Sequence, residues 1–168
     1  RHCESMGRVA HLINLDPAAD SFEYEPTKGT VCIFRIDYHC CLDIKELISV
    51  DEVMEEFGLG PNGGLVYCLE MLLENHEWLD EDLGDYSDEF LIVDCPGQIE
   101  LYTHYDIMND IIGLFQKKDY SVAVCYLLES QFFQDVTKYF AGVLNATSAM
   151  MKLAVPHLNI ITKMDLLE

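Results

Sequence analysis

A chain of 168 residues that is 50% hydrophobic and 24% charged has the composition of one globular domain with a sizeable core, and not that of a disordered tail. Its formal net charge of −20 is extreme for this size and disfavours nucleic acid or an acidic membrane surface as a direct partner. Seven cysteines with no C-x-x-C pair, and no apolar run near the ~18 residues of a membrane span, lead us to expect a cytoplasmic protein with reduced thiols.

In chain order, Arg1–Met6 suggests the last turn of a helix stopped by Gly7. Val9–Leu15 is the first of four short apolar runs, followed by Phe90–Val93, Ser121–Leu128 and Leu158–Ile161. Runs this short and apolar predict central parallel strands covered on both faces. Helical spacing links Leu65, Cys68, Leu69, Leu72, His76 and Leu79, and again Phe133, Val136, Phe140, Val143, Leu144 and Thr147. A third helix is expected over Asp106–Lys118, with Ile107, Ile111, Leu114 and Phe115 on its apolar face. Glu77–Glu89 reads as a helix end and a solvated acidic loop. Strands alternating with helices predict an α/β domain with an open, mostly parallel sheet. Ligands of such sheets bind beyond the carboxyl ends of the strands, here the residues after Leu15, Val93, Leu128 and Ile161.

Three of these four places carry chemistry suited to phosphates or a base. Asp94-Cys-Pro-Gly-Gln-Ile-Glu100 follows the strand Phe90–Val93. A carboxylate there can hold Mg²⁺ through water, Gly97 lets its backbone N–H approach a γ-phosphate, and Gln98 can orient an attacking water. The same D-x-P-G is also ordinary turn chemistry. Thr162-Lys-Met-Asp165 stands where a guanine-specific loop would lie. The Lys163 stem would lie along the purine, and Asp165 would accept from N1–H and the 2-amino group, a donor pattern adenine lacks. Asp16 closes its strand in Leu15-Asp-Pro-Ala-Ala19 and suits either a position near Mg²⁺ and the hydrolytic water or the cap of a following turn. Gly60-Pro-Asn-Gly-Gly64 suits a tight turn before a helix, or a run of backbone amides that receives an anion. Reading Asp16 or Asp94 as a phospho-acceptor would leave Gly60-Pro-Asn-Gly-Gly64 and Thr162-Lys-Met-Asp165 without a role.

In this order LDPAA (15–19), LGPNGGL (59–65), DCPGQIELYTH (94–104) and TKMDLL (162–167) resemble the GPN-loop GTPases. SQF (130–132) and the segment 140–160 look most like the type 3 branch of that family. The resemblance implies a three-layer, P-loop NTPase-like α/β domain that binds GTP and Mg²⁺ and hydrolyses GTP. It implies that Asp16 and Asp94 serve the metal, that Asp94 and Gly97 bind the nucleotide, and that Gln98 positions the water. Thr162, Lys163 and Asp165 would hold the guanine. Gly60, Pro61 and Asn62 would act in trans near the phosphates of a dimer partner, Asn62 in a catalytic role. The partner would be a paralogous GPN-loop GTPase or a second copy. The process implied is assembly of RNA polymerase II and its import into the nucleus, with shuttling between the compartments.

The sequence also departs from that family. No Gly-Lys dipeptide occurs, and His2–Arg8 resembles the tail of the helix that follows a P-loop. A domain incomplete at both ends is therefore expected over 1–168, one that binds GTP weakly by itself or serves as a nucleotide-incompetent interaction module. Lys28–Cys41 has the character of an apolar, cysteine-rich insertion, for which a surface β-ribbon is one expectation. The usual V-D-S-Q-F stands here as Leu128-Glu129-Ser130-Gln131-Phe132, with its acid one methylene longer.

Overall fold

The computed structural model describes residues 6, 10–19, 40–83 and 90–166. The expected helical turn before Gly7 (save Met6), most of the apparent insertion (28–39) and the acidic loop 84–89 lie outside the described residues. The chain divides into two compact units, Arg1–Gly97 and Gln98–Glu168.

In the first unit, β1 (Ala10–Asn14) is the middle of a three-stranded parallel sheet, flanked by β2 (Cys40–Asp43) and β3 (Phe90–Asp94). Hydrogen-bonded on both sides, β1 buries His11, Ile13 and Asn14, and Leu15 just beyond it is fully buried. The register aligns Asn14 with Asp94 on one side and, past an irregularity between Leu12 and Ile13, with Asp43 on the other. Three polar residues thus end three neighbouring strands. β2 was not foreseen, and the apparent insertion supplies its first two residues, Cys40 and Cys41. Its four residues carry too little pattern alone, and β1 provides the pairing that makes them a strand.

The helices of this unit run α1 (Val50–Phe57), α2 (Pro61–Glu74) and α3 (His76–Leu83). The helix start expected at Gly60–Gly64 is present, and it falls one turn before Leu65. Gly60 caps α2, and Pro61 through Gly64 form its first turn, where a proline with fixed φ and no N–H is suited to the opening position. The single helix expected to reach Leu79 is two helices, broken at Asn75, whose backbone and side-chain N–H groups both return to the Met71 carbonyl. Val50, Val53 and Cys68 form a core cluster with Ile48, Met54 and Tyr67. A Cβ on Gly64 would lie 3.1 Å from Met54 Cγ and 3.3 Å from Val50 Cγ1, so a side chain there would press on α1 where it meets α2.

The second unit contains α4 (Glu100–Thr103), α5 (Ile107–Lys117), β4 (Val124–Glu129), α6 (Val136–Leu153) and β5 (His157–Thr162). β4 and β5 pair in parallel from Val124–His157 to Glu129–Thr162. The parallel strands expected from the sequence are therefore present, but in two sheets and not one. Coverage on both faces does not hold: Phe90 and Ile92 of β3, Leu127 of β4 and Leu158 of β5 are exposed.

α5 buries Ile107, Ile111 and Phe115 of its expected face and adds Met108 and Ile112, while Leu114 is half-buried. α6 has the expected period but packs by a different face. Gly142, Ala146, Ala149 and Leu153 are buried, whereas Val136, Phe140, Val143 and Leu144, the large residues that signalled the helix, are exposed. A Cβ on Gly142 would stand 2.9 Å from Leu128 Cδ2 and 3.1 Å from Phe132 Cδ1. The small-residue face is what lets the helix close on the end of β4. At the far end of α6 the Lys152 ammonium pairs with Asp106, and the Lys152 carbonyl accepts from Asn109 Nδ2 at 3.1 Å.

Asp135 caps α6, its carboxylate accepting from the N–H groups of Thr137 (2.7 Å) and Lys138 (3.2 Å). The Lys138 N–H first, then that of Thr137, hold the Asp135 carboxyl below the usual carboxylate range. A carboxyl lowered in the folded state contributes stability above its unfolded value, about 3.9, and loses it as pH falls through the lower folded value. We expect Asp135→Ala to melt below the parent protein at neutral pH, with the gap closing in acid. Thermal melts across pH check this, and a gap that persists in acid would contradict it.

No helix among the described residues is long and apolar enough to cross a membrane. Cys68, Cys95 and Cys125 are free thiols.

Candidate functional site

The carboxyl edge of the first sheet is built around Asn14, which is fully buried. Its Nδ2 donates to Asp43 Oδ1 at 2.8 Å and to the Asp16 carbonyl at 3.1 Å, and its Oδ1 accepts from the Asp16 N–H at 2.9 Å. Asp43 Oδ1 also accepts from the Lys45 N–H, which fixes the start of the 3₁₀ turn Ile44–Glu46. The Leu15 N–H donates to the Asp94 carbonyl at 2.8 Å. The backbone around Asp16 is thereby held from both neighbouring strands.

Asp16 also does what its capping reading required, since its Oδ1 accepts from the Ala18 N–H at 3.0 Å. Its carboxylate is close enough to Asp94 to act on it. Burial first, then the Asp16 charge, raise the Asp94 carboxyl above the ordinary aspartate value, against the opposing pull of the Cys95 N–H. The neighbouring Cys95 thiol is pushed up to about 12, by burial and then by the Asp94 and Asp16 charges. That shift disfavours the thiolate, so nothing marks Cys95 as a nucleophile.

Two carboxylates that repel each other at adjacent strand ends suit a hard divalent cation, which would relieve that repulsion. Among the described residues no group of three His, Cys, Asp or Glu forms a metal cage. Mg²⁺ does not need one, since it is commonly held by one or two carboxylates, water and substrate phosphates.

Beyond β3, Pro96 is fully buried and Gly97 is exposed. Among the described residues a Cβ on Gly97 would meet no atom within 4 Å, so their packing gives no reason for glycine there. Gly60, Pro61 and Asn62 are exposed at the start of α2.

The remaining candidates lie in the second unit. Gln98 opens it, and its Oε1 is buried with no hydrogen-bond partner among the described residues. Thr162 ends β5 and donates through Oγ1 to the Leu128 carbonyl at 3.3 Å. Lys163 follows with φ 56°, a left-handed conformation that costs a non-glycine residue about 1–2 kcal/mol. The Lys163 ammonium pairs with the Glu129 carboxylate. The Lys163 carbonyl accepts from the Ser130 hydroxyl at 2.6 Å and the Leu166 N–H at 3.0 Å. Asp165 sits in the 3₁₀ turn Met164–Leu166 with its side chain exposed.

The structure thus brings Asp16 and Asp94 together in one unit and keeps Thr162, Lys163 and Asp165 contiguous in the other. It adds Asn14 and Asp43, which the sequence reading passed over. The available signal was a polar residue closing each apolar strand, in HLIN and in CCLD.

A family model described as "Conserved hypothetical ATP binding protein" matches residues 32–168. Over 99% of its length the chain is 54% identical to GPN-loop GTPase 3 of Mycosarcoma maydis, covering 55% of that protein. It is 52% identical to GPN-loop GTPase 3 of Schizosaccharomyces pombe and 48% identical to that of Saccharomyces cerevisiae, covering 56% and 57% of them. The chain therefore spans about half the length of the curated relatives it matches. Among solved structures, the crystal structure of a GTPase in apo form from Pyrococcus abyssi superposes with a TM-score of 0.74 at 24% identity. That match covers 100% of this chain and 60% of the other, and shows a shared α/β fold. The chain belongs to the family that this model defines, and the curated relatives it is similar to are GPN-loop GTPases of type 3.

Proposed function

We propose that this protein is a GTP-binding and GTP-hydrolysing switch. The observation that carries the reading is the placing of Asp16 and Asp94 at adjacent strand ends, where Asn14 pairs with Asp94 and the Leu15 N–H donates to the Asp94 carbonyl. In this reading the two carboxylates hold Mg²⁺ through water. When bound, the ion supplies charge neutralisation for the phosphates during transfer to water. Gly97 leaves its N–H open to the γ-phosphate, which gives the glycine a reason that packing does not. Gln98 accepts a hydrogen bond from the attacking water and orients it, which would also satisfy its buried Oε1.

The family model's description names ATP, but Thr162-Lys-Met-Asp165 favours guanine. An exposed aspartate there offers two acceptors to N1–H and the 2-amino group, and adenine would leave it unpaired. Gly60, Pro61 and Asn62 stand exposed at a helix start, as a motif that serves a partner's phosphates in trans should.

In the full-length protein, GTP hydrolysis should depend on Mg²⁺, and Asp94→Asn should lower it on the order of 10²-fold or more. Steady-state phosphate release over a Mg²⁺ titration measures this. Unchanged hydrolysis in the variant would remove Asp94 from the reaction.

At the level of the cell, the reading includes a GTP-dependent pairing with a paralogous GPN-loop GTPase or a second copy. It extends to RNA polymerase II subunits as clients, and to a cytoplasmic protein that shuttles to the nucleus during their assembly and import. The relatives' shared name supports the class of protein, and co-purification with polymerase subunits under GTP and GDP tests the role. A second reading, an interaction module that pairs with such a paralogue without hydrolysing GTP, draws on the exposed apolar face of α6. It predicts pairing that is indifferent to nucleotide.

A further inference from the structure

The turn that ends β4 is bound more tightly to Lys163 than a connecting turn requires. Ser130 is fully buried, yet its hydroxyl is directed at one acceptor, the Lys163 carbonyl, at 2.6 Å. One residue earlier, Glu129 takes the Lys163 ammonium. Glu129 is also the strand partner of Thr162, and Thr162 Oγ1 donates back to the Leu128 carbonyl. The backbone, hydroxyl and carboxylate of 128–130 therefore all bear on 162–163. The turn is itself fixed from behind, because Leu128 and Phe132 press on α6 at Gly142. What this clamp holds is a lysine in a left-handed conformation that it would not adopt unaided.

We propose that Ser130 and Glu129 are positioning residues for base recognition. Ser130 fixes the Lys163 backbone in its left-handed form, and Glu129 fixes the Lys163 ammonium, so the loop carrying Asp165 has its binding geometry before a purine arrives. The proposal rests on the guanine-loop reading of Thr162–Asp165. The length of the glutamate side chain lets its carboxylate reach the Lys163 ammonium from the end of β4. Neither residue is assigned a contact with the nucleotide.

The test uses the full-length protein and two probes, GDP and inorganic tripolyphosphate, which has no base. Ser130→Ala should weaken GDP binding about tenfold, and Glu129→Gln about threefold, with tripolyphosphate affinity unchanged in both. Ser130→Thr, which keeps the hydroxyl, should restore GDP affinity. The Glu129→Gln defect should shrink at high salt, where the ion pair in the parent protein is screened. Equal losses for GDP and tripolyphosphate would mean that the turn matters only to the fold, and the proposal would fail. It would fail also if Ser130→Ala bound GDP like the parent protein while Asp165→Asn still lost guanine preference, an outcome that leaves the guanine reading standing. If Asp165→Asn bound guanine nucleotides as the parent does, both would fall.

Discussion

Replacing Asp165 with asparagine in the full-length protein should move its base preference from guanine to xanthine by on the order of 10³-fold. The aspartate offers two acceptors on one carboxylate, matched to the N1–H and 2-amino donors of guanine. Asparagine keeps one acceptor and turns the other into a donor, which faces the 2-amino group of guanine donor to donor and suits the 2-oxo group of xanthine. The change is nearly isosteric, and the residue is exposed in a short turn, so the fold should not register it. Competition of GTP and XTP for the nucleotide site measures the ratio. A variant that retains the parent's preference for GTP would show that this turn does not read the base.

The largest effect on stability should come from Asn14, a residue with no chemistry to perform. Asn14→Ala removes three hydrogen bonds at once and leaves Asp43 buried without the amide donor at 2.8 Å. A buried carboxylate short of a donor and a backbone amide without its acceptor together should cost about 3 kcal/mol. For a protein of this size that corresponds to roughly 6–12 °C in Tm. Hydrolysis should fall as well, because the Asp16 backbone loses two of its anchors, and small displacements of a positioned group can cost about 10²-fold. Calorimetry and a single-turnover assay read the two effects. A Tm within about 2 °C of the parent would show that the network is not buried in solution. Pairing the change with Asp43→Asn in a double-mutant cycle isolates the side-chain bond.

Much of the fold was readable because β1, β3, β4 and β5 are short branched-apolar runs, each followed by a polar turn. β2 was not, since four residues beside a cysteine-rich segment have no signal until β1 supplies a partner. The face of α6 was misleading for a similar reason. Sequence period marks where large apolar residues recur, but close packing against β4 needs small ones, so Gly142 and Ala146 lie inward while Phe140 and Leu144 lie outward. The candidate residues were readable wherever a motif sits at a strand end, as with Asp16, Asp94 and Asp165. The residues that hold them were not, because Asn14, Asp43 and Ser130 work through register and burial, which one sequence does not display.

The register of β1 also bears on how the chain reaches this structure. Leu12 pairs with Ile92, whereas Tyr126 pairs with Asn159, a span less than half as long. The entropy lost in closing a loop grows with its logarithm, so the first closure costs only about 0.8 kcal/mol more than the second. The greater burden is on rate, since strands paired across long separations must find each other before any contact rewards the search. We therefore expect the β4–β5 pair to form first, and the edge carrying Asp16 and Asp94 to wait for β3, the last strand of its sheet in chain order.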